Sequence, residues 1–193
     1  MLLLGVLQAQ AAGQVAAGSF DLLETQVLAS SAASVTFSGL SAYAADYQHL
    51  QIRYSAQSNR SSPNFNDLMS VQFNGDTAAN YSAHYLRGYE LTVQSGYNAT
   101  IQWHNLSINY KGADIFAAGV IDILDPFDTN KYTTMRGFTG YINNASTFEH
   151  NVNLTSTSWR NTAAVNSILL DDEFGNSFTA RSRFSLYGVK GSA

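Results

Sequence analysis

From about residue 19 onward, apolar and polar residues alternate with a period of two, the pattern of strands that bury one face. Leu50, Ile52, Tyr54 and Ala56 fall on one side, with Gln51, Arg53, Ser55 and Gln57 on the other. Met69, Val71 and Phe73 repeat the pattern and run into Asn74-Gly75-Asp76, a turn sequence because Asn and Gly tolerate positive φ. Short alternating runs follow at Tyr89, Leu91 and Val93, at Ile101 and Trp103, and at Leu106, Ile108 and Tyr110, the last ending at Lys111-Gly112. Residues 115–124 form the most continuous apolar run and predict a central strand buried on both faces. Its β-branched residues and the nearby Pro126 argue against a helix there.

Further strands are predicted at 132–142, at 147–154 (Phe148, Val152 and Leu154), at 165–170 and at 178–189. The chain closes on a short alternating strand and a Gly-Val-Lys-Gly tail with no helix after it. Residues 58–66, with Pro63, and 76–81 read as exposed loops. No heptad, internal repeat or long helical pattern interrupts this series of roughly nine or ten strands. The expected fold is all-β: one antiparallel β-sandwich of jelly-roll type over residues 19–193, preceded by an extended N-terminal arm.

That arm, residues 1–18, opens on Met1-Leu-Leu-Leu-Gly-Val-Leu7. The run falls well short of the roughly 20 residues a membrane span requires. The absence of Lys and Arg before Arg53 argues against a secretory signal. Leu2, Leu3, Leu4, Val6 and Leu7 are therefore expected to dock, on a neighbouring subunit or on the chain's own domain. The alternative is a short helix or strand packed within the same fold.

Composition narrows the function. A chain of 193 residues fits one domain with a real core. Only 12% of it is charged, about half the usual share, and its polarity comes from 22 Ser and 16 Asn instead. Such a surface hydrogen-bonds well and repels neighbours poorly, which suits a subunit held in an assembly. Net charge is -4 and the basic residues are scattered, so nothing tracks a phosphate backbone. With no Cys, disulfides and thiolate metal sites are excluded.

Catalysis finds little to build on, and neither catalytic residues nor a cofactor are expected. His49, His84, His104 and His150 lack ligand spacing, and neither a Gly-x-Ser-x-Gly elbow nor a phosphate-binding glycine loop occurs. Asp122, Asp125 and Asp128, recurring around Pro126, are the weak metal candidates, because a turn rich in carboxylates can hold Ca²⁺. Asp is equally the ordinary residue for ending strands and nucleating turns. Tyr81, His84, Tyr85, Tyr89 and Tyr97 cluster within seventeen residues, with Trp103 just beyond. Tyr81, His84, Tyr85 and Trp103 are candidate contact residues, for a protein interface first and a glycan second.

Several further stretches stand out as a set. They are Met1-Leu-Leu-Leu-Gly5, Ser34-Val-Thr-Phe-Ser-Gly39, Tyr47-Gln-His-Leu-Gln-Ile-Arg53, and Val71-Gln-Phe-Asn-Gly-Asp-Thr77 with Asn80-Tyr-Ser82 and His84. Ile121-Asp-Ile-Leu-Asp125 with Thr129-Asn-Lys131, Trp159, and Phe184-Ser-Leu-Tyr-Gly-Val-Lys-Gly191 complete the set. Together these stretches resemble a family of small structural proteins encoded by tailed bacteriophages, and the resemblance implies a β-rich virion component on the particle surface, without catalytic residues. Its partners would be copies of itself, as a homotrimer or another symmetric oligomer, and phage capsid or tail proteins. A host-surface glycan is the alternative partner.

Overall fold

The computed structural model describes residues 19–61, 67–89, 91–98, 104–108, 114–142 and 150–191. The expected arm and its Leu2, Leu3, Leu4, Val6 and Leu7 lie outside the described residues, as do Trp103 and the Lys111-Gly112 turn. Strands β1 (Phe20–Val27), β2 (Ser34–Ser38), β3 (His49–Ser58), β4 (Asp67–Phe73), β5 (Tyr81–Tyr89) and β6 (Thr92–Asn98) make the first half of the order. Strands β7 (His104–Ile108), β8 (Ala117–Leu124), β9 (Thr133–Ile142), β10 (His150–Trp159), β11 (Ser167–Asp172) and β12 (Arg183–Val189) make the second. The described helical structure is one 3₁₀ turn at Leu40–Tyr43.

Eight strands form a long sheet in the order β1-β12-β3-β8-β9-β10-β5-β6, each antiparallel to its neighbours. A shorter antiparallel sheet, β2-β11-β4-β7, packs against it. A brief parallel contact of Gln57 and Ser58 with Ser107 and Ile108 joins the two. Among the described strands β1 pairs with β12 and β2 with β11, the nested closure by which a jelly roll is wound. The antiparallel sandwich expected from the period-two pattern is thus the fold.

The core lies between the sheets. Leu50, Ile52, Tyr54, Ile121, Ile123, Met135, Phe184 and Leu186 enter it from the long sheet. Val35, Phe37, Met69, Val71, Phe73, Ile168 and Leu170 meet them from the short one. Burying each such side chain favours the folded state by about 1.5–3 kcal/mol before ordering costs. Gly119 on β8 leaves room for the Tyr54 ring, since a Cβ there would lie 2.4 Å from its Cε1.

The expected turn is in place, and two other expectations change on the structure. Asn74 and Gly75, with φ of 53° and 68°, make a tight primed turn closed by Asp76 N–H to Phe73 O at 2.9 Å. It hands the chain from the short sheet to the long one, so β4 and β5 are not partners. The segment expected as a loop up to residue 81 ends at Asn80, and Tyr81 opens a nine-residue strand. Strand β8 is central, between β3 and β9, but only one of its faces is fully buried. Ala118 is exposed, and Val120, Asp122 and Leu124 are half-buried.

Candidate contact surface

Directly opposed residues on neighbouring strands point to the same side of a sheet, so the register maps its faces. On the outer face of the long sheet one transverse row reads Arg53, Val120, Phe138, Leu154, Leu86, Ser95. The row on one side of it reads Ala118, Gly140, Val152, Gly88, Val93, and on the other Asp122, Arg136, Ser156, His84, Tyr97. Phe138 is 60% exposed, Leu154 52%, Leu86 50%, Val152 46%, Val93 78% and Tyr97 83%. Phe20, Leu22 and Val27 extend the exposed apolar surface at the β1 edge of the same face. Among the described residues, the exposed large hydrophobics elsewhere are Leu91, Tyr132 and Phe174.

Strand β10 carries the reason. Its buried side chains are Asn151, Asn153, Thr155, Thr157 and Trp159, while Val152 and Leu154 face outward. Its polarity is inverted, polar side in and apolar side out. A period of two says which residues share a face but not which face is inward. Trp159 held the available signal: a side chain so large belongs in the core, and every second residue before it must then point the same way. Phe138, Leu154, Leu86, Val152 and Val93 were therefore not legible as surface residues from alternation alone.

The charges on this face are offset. Asp122 meets Arg136 at 3.3 Å and accepts from Gln51 Nε2 at 2.7 Å. Arg53 lies over the Tyr187 ring at 4.7 Å and the Phe20 ring at 5.6 Å. Two shallow depressions flank Arg136, one reaching Phe20 and Gln51, the other His84, Leu86 and Leu154.

The three aspartates proposed as metal candidates do not converge. Asp122 faces outward from the sheet, whereas Asp125 and Asp128 sit on the following turn around Lys131. Asp125 accepts from Lys131 Nζ at 2.5 Å and Gln48 Nε2 at 3.0 Å, and its own N–H donates to His49 Nδ1 at 3.0 Å. Lys131 above all holds its carboxyl below the usual range. Asp128 is likewise lowered, first by the Asn130 backbone N–H at 2.8 Å. Among the described residues, no group of three or more His, Cys, Asp or Glu is placed to hold a metal ion.

Of the aromatic candidates, Tyr81 is a core residue rather than a surface one, only 3% exposed. Its hydroxyl accepts from Phe73 N–H at 2.9 Å and donates to Asp76 O at 3.2 Å, and burial pushes its pKa up to about 12. Tyr85 lies half-buried on the inner face of β5, tight against Gly96. His84 is exposed on the outer face, directly opposite Tyr97.

Several of the stretches singled out in the sequence meet as joints between strands. Asp76 Oδ2 accepts from Trp159 Nε1 at 2.8 Å and from Asn80 Nδ2 at 2.9 Å, and Trp159 packs on Phe73 and Tyr81. Tyr47 covers Gly188, where a Cβ would lie 2.4 Å from its Cδ1, and its hydroxyl donates to Asp21 at 3.0 Å. Lys190 reaches the same Asp21 at 2.8 Å.

A buried carboxyl pair ties β3, β4 and β11 together. Asp67, with no exposed side-chain surface, accepts from the Ser58 hydroxyl, Arg60 Nη1 at 3.2 Å, Leu68 N–H at 3.1 Å and Asn176 Nδ2 at 3.2 Å. Asp172 accepts from the Phe174 and Asn176 N–H groups, both at 2.9 Å, and the Asn176 side-chain Nδ2 bridges it to Asp67, at 3.0 Å and 3.2 Å respectively. Burial first, then Asp172, raises the Asp67 pKa well above the carboxylate range. No protein-family model matches the chain, and no curated protein is significantly similar to it.

Proposed function

We propose that this protein is a non-enzymatic structural subunit of a bacteriophage particle, a capsid decoration protein that works by making contacts. The observation that carries a contact role is the apolar outer face centred on Phe138, Leu154 and Leu86. Water-exposed rows of large apolar side chains of this extent mark interaction surfaces. The sparse, largely neutralised charge on that face fits a permanent neighbour better than a soluble ligand. The phage assignment rests on the sequence stretches named above, and several of the residues they contain serve as strand joints.

Residues 1–18 supply the proposed anchor to a capsid or tail protein. Full burial of Leu2, Leu3, Leu4, Val6 and Leu7 would contribute about 1.5–3 kcal/mol per large side chain before ordering costs. Deleting residues 2–7 is expected to leave the sandwich folded by circular dichroism while abolishing incorporation into particles. A truncated chain retained on particles at full occupancy would overturn the anchor. A tail-associated, glycan-binding role draws on the exposed neighbours His84 and Tyr97. Antibody labelling confined to the tail, instead of spread across the capsid shell, would favour it.

A further inference from the structure

We propose that the outer face of the long sheet packs against the same face of a second copy of this chain, with a two-fold axis running along β10. This names the partner for the contact role above and rests on that reading. Phe138, Leu154, Leu86, Val152, Val93 and Tyr97 form one contiguous patch across β9, β10, β5 and β6. At their exposures they present on the order of 700 Å² together, close to the roughly 800 Å² that each partner contributes to a standard interface.

The patch is also self-complementary. An axis along β10 sets Leu154 and Val152 opposite their own copies, about 10 Å apart between sheets. Strand β9 then faces β5 of the second copy, so Phe138 meets Leu86 and Gly140 meets Gly88, two positions without a side chain to keep the sheets apart. In the adjacent row Asp122 falls opposite Tyr97, whose hydroxyl can donate to it. The central apolar groups meet apolar groups, and Arg136, already paired with Asp122, falls opposite the His84 imidazole, an arrangement an unrelated partner would have to match separately. Symmetric pairing is the commonest way for a chain to bury such a face.

Because the chain contains no Cys, single-cysteine variants of the full-length protein test this cleanly. Leu154→Cys should be joined into covalent dimers by a short bismaleimide, whereas Ala163→Cys, on an exposed loop, should stay monomeric. Sedimentation equilibrium should show a dimer that Phe138→Lys and Leu86→Lys each convert to monomer with an unchanged β-sheet spectrum. A wild-type chain monomeric up to about 100 µM would overturn the pairing, as would a dimer that survives both lysines. Equal cross-linking at Ala163→Cys would overturn it too. If residues 1–18 cover the face instead, the wild type is monomeric and deleting residues 2–7 speeds maleimide labelling of Leu154→Cys. A monomer that still decorates particles defeats the dimer and spares the particle role; a dimer never found on particles does the reverse.

Discussion

Replacing Asp67 by Asn removes one titrating group from the buried pair while keeping its shape, though only one of the two oxygens that accept from Ser58 and Arg60 remains an acceptor. Below the ordinary Asp value of 3.8, folded and unfolded chains both hold the Asp67 proton. Between there and about 7, the folded chain keeps it and the unfolded chain does not. Stability from this proton is therefore fully present below pH 3.8 and is lost as pH rises through about 7. At about 1.4 kcal/mol per pH unit the whole window is worth at most about 4 kcal/mol. Asp76, Asp125 and Asp128, whose carboxyls are lowered, act in the opposite sense, so the wild-type curve alone mixes both. The difference between wild type and Asp67→Asn isolates the pair. Urea unfolding followed by tryptophan fluorescence reports it, since Trp159 is only 1% exposed when folded. The wild type's advantage over Asp67→Asn should shrink by about 2–4 kcal/mol between about pH 4 and pH 8. Parallel curves, or an advantage that grows with pH, would refute the raised Asp67 carboxyl.

Two further substitutions probe the joints. Asp76→Ala leaves the Trp159 indole N–H buried without its acceptor and should cost about 1–3 kcal/mol in urea unfolding; an unchanged midpoint would mean the bond is dispensable. Gly119→Ala places a methyl against the buried Tyr54 ring and should destabilise by about 1–3 kcal/mol, read as a lowered Tm. A companion Tyr54→Phe that leaves the cost unchanged is expected, because the ring and not its hydroxyl is nearest.

Much of the fold was legible in the sequence because alternation is a local property. Leu50 to Gln57 read correctly as a strand with its apolar side in the core, and 132–142 and 165–170 lie within two residues of β9 and β11 at their ends. The closing strand was legible too, and its pairing with β1 and β3 completes the sandwich. Strand β5 was missed except for its last residue: the run read at Tyr89, Leu91 and Val93 takes in the end of β5 and the start of β6 instead. The candidate chemistry fared differently. Carboxylates spaced three apart looked like one ligand set, yet Asp122 belongs to a strand face and Asp125 and Asp128 to the turn after it.

The sequence by itself determined the strand content, the turn at Asn74-Gly75 and the scarcity of charge, because backbone preference and side-chain alternation act over a few residues. Only the tertiary structure decided which side of β10 meets the core, and with it the exposed row of Phe138, Leu154 and Leu86. That choice depends on Trp159 packing against Phe73 and Tyr81, residues about 80 positions away. Contacts so distant along the chain fix an orientation that no local pattern contains.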